Sequence, residues 1–308
     1  MSTPIISSIL VMGATGKQGG SVVRALLKAG RSVRAFVRDP DSLTAQALAA
    51  QGVDVVKGDF HDPASLDAAL AGMDGVFSVQ VGSQPSEPQA EIQAGKALVE
   101  AAHRANVRMI VHTSVARAGD HENFVGWNEG RWEPLYWKNK AAVNELVKTQ
   151  GFRHWVILKP AMIMEDIVPP QADIQFPTLR ERGRFETAIA ADTRIDWIAV
   201  DDIGAFAAAA FAEPERFHGH EIDLAAESVT LPEVAAKITK ATGKPVSAIT
   251  LSEEETLAKP YGELMFKHES WNNVEGYKVD LDAVRSWGVP LTTLDQFIHQ
   301  HRDKFVIG

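Results

Sequence analysis

The chain has 308 residues, 45% of them hydrophobic and 23% charged, a balance that suits a soluble globular protein with a sizeable core. Its formal charge of -9 argues against nucleic-acid and membrane-surface binding, which both need a basic face. With no cysteine there is no disulfide, thiolate nucleophile or thiolate metal site, and a reducing cytoplasm is the expected compartment. Met1-Ser2-Thr3-Pro4 carries no basic leader region, and no apolar run approaches the length of a membrane span.

Along the first half, short β-branched runs alternate with amphipathic helical segments, the pattern of a parallel sheet with crossover helices. Strands are predicted at residues 9–12, 33–37, 53–56, 75–79, 109–113 and 155–158. Helices are predicted at 18–29, where Val22, Val23, Leu26 and Leu27 share a face, and at 43–51, 64–70, 90–105 and 136–149. Asp62-Pro63 reads as a cap followed by a first-turn proline. After Pro160 the pattern loosens, with loops at Pro169-Pro170 and Phe176-Pro177, a strand at 197–200 and an alanine-rich helix at 203–211. Thr230 and Glu233 form a capping-box pattern before a helix at 231–242, and a closing helix is expected at 292–302. The expected fold class is α/β: a doubly wound parallel sheet over residues 1–160, with 195–225 returning to it. Residues 161–308 are expected to form a smaller, irregular α+β domain that binds substrate.

Between the first strand and the first helix stands Gly13-Ala14-Thr15-Gly16-Lys17-Gln18-Gly19-Gly20. Gly13, Gly16 and Gly19 make G-x-x-G-x-x-G in the context a dinucleotide demands. One glycine permits the tight turn, one lets backbone approach a pyrophosphate, and one allows close helix packing. The helix N-terminus then offers free N–H groups and a positive dipole end to the phosphates. The turn, with Thr15, Lys17 and Gln18, therefore predicts a Rossmann domain that holds a nicotinamide dinucleotide. The second strand ends Val37-Arg38-Asp39-Pro40. A carboxylate there would favour NAD, whereas the Arg38 fork suits a 2′-phosphate, with Asp39 starting a turn before Pro40. NADP(H) is the expected cofactor. After the third strand, Asp59 and Phe60 either flank an adenine ring or belong to a simple loop.

These segments, with Leu158-Lys159-Pro160, Trp197-Ile198-Ala199-Val200-Asp201-Asp202-Ile203-Gly204 and Val229-Thr230-Leu231-Pro232-Glu233, resemble the NmrA-like family of atypical short-chain dehydrogenases/reductases. The resemblance runs in order along nearly the whole chain. It implies a Rossmann domain with a small C-terminal substrate domain and a preference for NADP over NAD. It also implies one of two activities: reduction of quinones, ketones or phenolic compounds, or NADP(H) sensing without turnover. Tyr136-Trp137-Lys138-Asn139-Lys140 contains Tyr-x-x-x-Lys, which puts Tyr136 and Lys140 on one helix face, one turn apart. In the reductases this resembles, the tyrosine gives a proton to the substrate oxygen and the lysine assists it and holds the nicotinamide ribose. Ser114, at the end of the fifth strand in His112-Thr113-Ser114, is the candidate for the assisting hydroxyl.

The segment from Phe124 to Trp137 concentrates Phe124, Trp127, Trp132, Tyr136 and Trp137 in a chain with 7% aromatics. It reads either as a lid over an apolar or aromatic substrate, with Met162 and Met164 as further lining, or as a loop packed through its tryptophans. The ten histidines show no metal-site spacing; His218-Gly219-His220 is expected along a strand, and it, His299 and His301 are expected at the surface. The leading expectation is an NADP(H)-dependent reductase of a small carbonyl, quinone or conjugated molecule, with Tyr136, Lys140 and Ser114 as catalytic residues. The alternative is a cofactor-sensing regulator with a protein partner; a homo-oligomer fits either.

Overall fold

A computed structural model describes residues 5–307, so the expectation about a leader, which concerns Met1 to Pro4, lies outside the described residues. The first half contains β1 (Ser8–Met12), α1 (Lys17–Lys28), β2 (Ser32–Val37), α2 (Leu43–Ala50), β3 (Asp54–Lys57) and α3 (Pro63–Leu70). It continues with β4 (Gly75–Ser78), α4 (Ala90–Arg104), β5 (Met109–Thr113), α5 (Pro134–Thr149) and β6 (His154–Pro160). Next come β7 (Met162–Ile163), α6 (Ala172–Gln175), α7 (Pro177–Arg182), β8 (Arg184–Thr187), β9 (Arg194–Ile198), α8 (Val200–Ala212) and α9 (Pro214–Phe217). The last elements are β10 (His220–Leu224), β11 (Glu227–Thr230), α10 (Leu231–Thr242), β12 (Ser247–Thr250), α11 (Glu253–Leu257), α12 (Gly262–Val274), α13 (Leu281–Ser286) and α14 (Leu294–Gln300). Two compact units result: residues 5–119 with Leu135–Lys159 and Val200–Ile222, and Asp120–Pro134 with Pro160–Ala199 and 223–307.

The first unit is a doubly wound sheet of seven strands in the order β10-β6-β5-β4-β1-β2-β3. Strands β1 to β6 pair in parallel. The order reverses between β1 and β4, and folds of this kind bind ligands in the crevice beyond the carboxyl ends of the strands at such a point. Apolar runs form these strands because both sheet faces are covered. Leu10, Met12, Val76, Ile110 and Ile157 line one face and bury against Leu66, Leu98, Val99 and Val147 of the helices. On the other side α1 lies close to α8, because Gly204 has no side chain: a Cβ there would stand 2.3 Å from Ser21 Oγ.

At the amino ends of the strands, Asp74 bolts β1, β4 and β5 together. Its carboxylate accepts from Ser7 N at 3.0 Å, Ser7 Oγ at 2.7 Å and Ser8 N at 3.1 Å, and from Arg108 at 2.6 Å. Burial opposes its charge, but Arg108, Ser7 and Ser8 outweigh burial and hold the carboxyl well below the usual carboxylate range.

The second unit holds a three-stranded sheet, β11-β9-β7, and a two-stranded one, β12-β8. The capping box of Thr230 and Glu233 starts α10 as the sequence predicts. Within this unit the aromatic loop 120–134 is packed rather than free. Trp132 is 1% exposed and donates to Val125 O at 2.8 Å, and Phe124 meets the Trp271 ring at 5.7 Å. Val125 N donates to Glu275 at 2.8 Å. Met164, expected as pocket lining, is wholly buried in the core. His218 does not share a strand with His220: Gly219 takes φ +82°, and β10 begins only at His220. Among the described residues no group of three or more His, Asp or Glu is arranged to hold a metal, and no helix is long and apolar enough to cross a membrane.

Candidate active site

The glycine-rich segment folds as a tight turn from β1 into α1. Gly13 adopts φ +62°, a left-handed conformation that a side chain disfavours, and Gly16 N donates to Gly13 O at 2.8 Å to close the turn. Gly19 has the stricter requirement. A Cβ there would fall 2.2 Å from Gly13 O and 2.4 Å from its carbonyl carbon. The N-cap of α1 is Gly16, in extended conformation, with no side chain capping the helix and no acid in its first turn. The positive helix end is therefore left for an outside anion. Thr15, Gly16 and Lys17 are exposed. Gln18 turns inward, where its Oε1 accepts from Thr113 Oγ1 at 2.7 Å, tying the helix start to the end of β5.

Arg38, at the end of β2, is exposed and makes no hydrogen bond or ion pair with any described residue. Asp39 is occupied in its own turn, accepting from Asp41 N at 3.0 Å. Past β3, Asp59 likewise accepts from His61 N at 2.8 Å, and Phe60 meets the Phe36 ring edge-on at 6.1 Å. Gly58 leaves the space the Phe36 ring occupies, since a Cβ there would lie 2.1 Å from that ring. These groups all stand at the carboxyl ends of β2 and β3.

On the other side of β1, the carboxyl ends of β4 and β5 carry a buried polar cluster. Lys140, on α5, pairs with Glu91 of α4 at 2.6 Å, and the two side chains are only 14% and 3% exposed. Its Nζ also stands 5.9 Å from the centre of the half-buried Tyr136 ring, so the two residues do share a helix face. His112 Nδ1 lies 3.1 Å from Ser78 Oγ, which accepts from Gln80 Nε2 at 2.9 Å. Burial and then the Lys140 charge push the His112 ring down to about 3, with a hydrogen bond to the Ser78 backbone opposing, so it is neutral at physiological pH. Ser114 is placed beside this cluster, but its hydroxyl is buried and has no hydrogen-bond partner.

The structure thus brings Tyr136 and Lys140 together and places Ser114 below the surface. Reasoning from sequence did not single out Glu91, His112, Ser78, Gln80 or Thr113. Their partners are distant in the chain, and it is the register of β4 against β5 in the structure that sets Ser78 opposite His112.

A glycine turn into an uncapped helix at the switch point of a doubly wound sheet defines a dinucleotide-binding protein of Rossmann type. The match at family level is direct: the NmrA-like family covers residues 6–303, and the chain belongs to it. It is 33% identical over 254 residues to an NAD(P)H azoreductase of Xenophilus azovorans, covering 80% of this chain and 78% of the other. The solved NADPH-dependent quinone oxidoreductase of Escherichia coli, complexed with NADPH, is 27% identical with a TM-score of 0.74, over 95% of this chain and 99% of that one. NmrA, a negative transcriptional regulator solved with NADP, shares the fold at 20% identity and a TM-score of 0.78, over 96% and 95%.

Proposed function

We propose that the chain is an NADP(H)-dependent reductase of a small carbonyl, quinone or other conjugated molecule. The observation that supports it most is the pairing of an uncapped helix N-terminus beside β1 with Lys140 and Tyr136 across the switch point. The residues fit the cofactor: the N-terminus of α1 has no side-chain cap, and Arg38 has a fork to spare. In this reading the Gly13, Thr15, Gly16, Lys17, Gln18 and Gly19 segment holds the pyrophosphate through backbone N–H groups and the helix dipole. Arg38 takes the 2′-phosphate, Asp59 and Phe60 flank the adenine, and Lys140 donates to the nicotinamide ribose.

A bound NADPH supplies the hydride. The chain's own part is to orient the acceptor and provide a proton, which Tyr136 gives from its hydroxyl to the acceptor oxygen. Ser114 assists there only by turning its buried hydroxyl outward. Lys140, already paired with Glu91, acts on Tyr136 with a partly compensated charge, so its main task is to hold the ribose.

NADPH consumption against a panel of quinones and ketones tests the reading, with wild type and Tyr136→Phe side by side. Wild type should turn over, and the variant should lose about 100-fold in kcat while binding NADPH equally well. No turnover across a broad panel, together with a protein partner bound only in the presence of cofactor, would replace the reductase with a sensor.

A further inference from the structure

Lys140 does not stand alone. The α4–α5 seam brings a buried acid to it through several independent contacts. Gly95, one turn beyond Glu91, lets the helices approach, since a Cβ there would sit 3.0 Å from the Val143 methyl carbons. Asn139 Nδ2 donates to Pro88 O at 2.8 Å, tying α5 to the chain just ahead of α4. Glu91 N donates to Ser83 Oγ at 3.0 Å, which fixes the backbone from which the carboxylate projects. Its place in the first turn of α4 also suits a negative charge.

The packing of this seam does not need an ion pair. Gly95 against Val143 and Asn139 against Pro88 already join the helices, and a buried ion pair is seldom more stable than an apolar pair in its place. Glu91 Oε2 is moreover buried and unpartnered, so the acid is not there to complete a hydrogen-bond network. What it does accomplish is geometric. The charged groups facing the ammonium are Glu91 from α4, with neutral His112 from β5 and the Tyr136 ring from α5 beside it. Among the described residues, Glu91 is the one ion-pair partner of Lys140, and its Oε1 takes one of the three donors. A lysine stem otherwise samples many rotamers, and that freedom is lost at each binding event unless it is restricted beforehand.

We propose that Glu91 is a positioning residue that holds the Lys140 ammonium so that its remaining donors meet the ribose hydroxyls of the cofactor. The proposal rests on the reading of Lys140 as a cofactor ligand given above. It predicts that Glu91 affects cofactor binding only through Lys140.

A double-mutant cycle on NADPH affinity, read by cofactor fluorescence, tests it with Glu91→Gln, Lys140→Met and the pair combined. Each single variant should bind NADPH about 10- to 100-fold more weakly, the range for losing a hydrogen bond to a charged group. The double variant should bind no more weakly than Lys140→Met alone. Glu91→Asp should recover part of the loss, and Glu91→Gln should raise KM for NADPH more than it lowers kcat. The double variant removes both charges, so it remains folded even if Glu91→Gln alone is compromised by an unpaired buried ammonium. Wild-type affinity in Glu91→Gln, or losses that multiply in the double variant, overturn the proposal while leaving Lys140 as a ligand. Wild-type affinity in Lys140→Met overturns the ligand reading itself, and Glu91 then has nothing to position.

Discussion

The two ends of the central sheet use their polar groups differently. At the amino ends, Asp74 satisfies backbone and side-chain donors from Ser7, Ser8 and Arg108, so that three strands begin from one closed network. At the carboxyl ends, polar groups are gathered and then left incomplete. His112 Nε2, Ser114 Oγ, Gln80 Oε1 and Glu91 Oε2 are buried without partners, α1 has no side-chain cap, and Arg38 pairs with nothing described. Orphaned buried polar atoms cost stability, so a fold tolerates them where something other than stability is served. The amino ends have orphans too, both ring nitrogens of His154 at the start of β6, but those at the carboxyl ends are gathered in one cluster around His112 and Lys140.

If that contrast is right, substitutions at the carboxyl ends should change binding, and substitutions at the amino ends should change stability. The largest effect is expected from Gly19→Ala. Its Cβ cannot coexist with Gly13 O at 2.2 Å, so the turn must open and α1 must shift. NADPH affinity should fall more than about 100-fold, with a stability loss of roughly 1–3 kcal/mol, the usual range for overpacking. Titration calorimetry and urea denaturation would check both numbers. Affinity within a few-fold of wild type would mean that the turn is not the phosphate site.

Asp74→Asn should do the reverse. It removes the charge from the Arg108 contact and should cost roughly 2–3 kcal/mol at neutral pH while leaving NADPH affinity unchanged. Because the folded carboxyl is held below its ordinary value of 3.8, the stabilisation is complete above that value and is lost as pH falls below it. The urea midpoints of wild type and variant should therefore converge in acid. Acid sensitivity from His112, which burial keeps neutral while the unfolded chain protonates, is common to both proteins and drops out of the difference.

What the sequence made legible follows the same division between local and distant physics. Strands of β-branched residues, the Thr230–Glu233 capping box and the glycine turn are each written within a few neighbouring positions. In the first half of the chain they appear within a residue or two of where the pattern sets them, whereas the strand expected at 197–200 begins three residues earlier, at Arg194, and Val200 already opens α8. Alternation alone sets His218 and His220 on one strand, whereas Gly219 at φ +82° breaks it between them and β10 begins at His220. The aromatic loop was ambiguous for a different reason. Whether Trp132 and Phe124 cover a ligand or fill a core depends on Trp271 and Glu275, which lie far along the chain. The cluster around Lys140 is the same case. Tyr-x-x-x-Lys is a helical spacing and can be read, but Glu91 reaches Lys140 only because Gly95 admits Val143, a coincidence of two helices that no local pattern records.

Arg38 gives the mildest and most discriminating test of the contrast. Its side chain is exposed and unpaired among the described residues, and Asp39 beside it is committed to its own turn. Replacing it should therefore disturb stability by no more than about 0.5 kcal/mol. Arg38→Asp should nevertheless weaken NADPH about 10- to 100-fold, because a bidentate charge-assisted contact to the 2′-phosphate is exchanged for repulsion. NADH lacks that phosphate and should bind as well as before, so the ratio of the two affinities is the measurement that matters. An equal loss for both cofactors would place Arg38 outside the 2′-phosphate site. A loss of stability without a change in the ratio would show that the carboxyl ends of the strands also carry the fold, and the contrast between the two ends would fail.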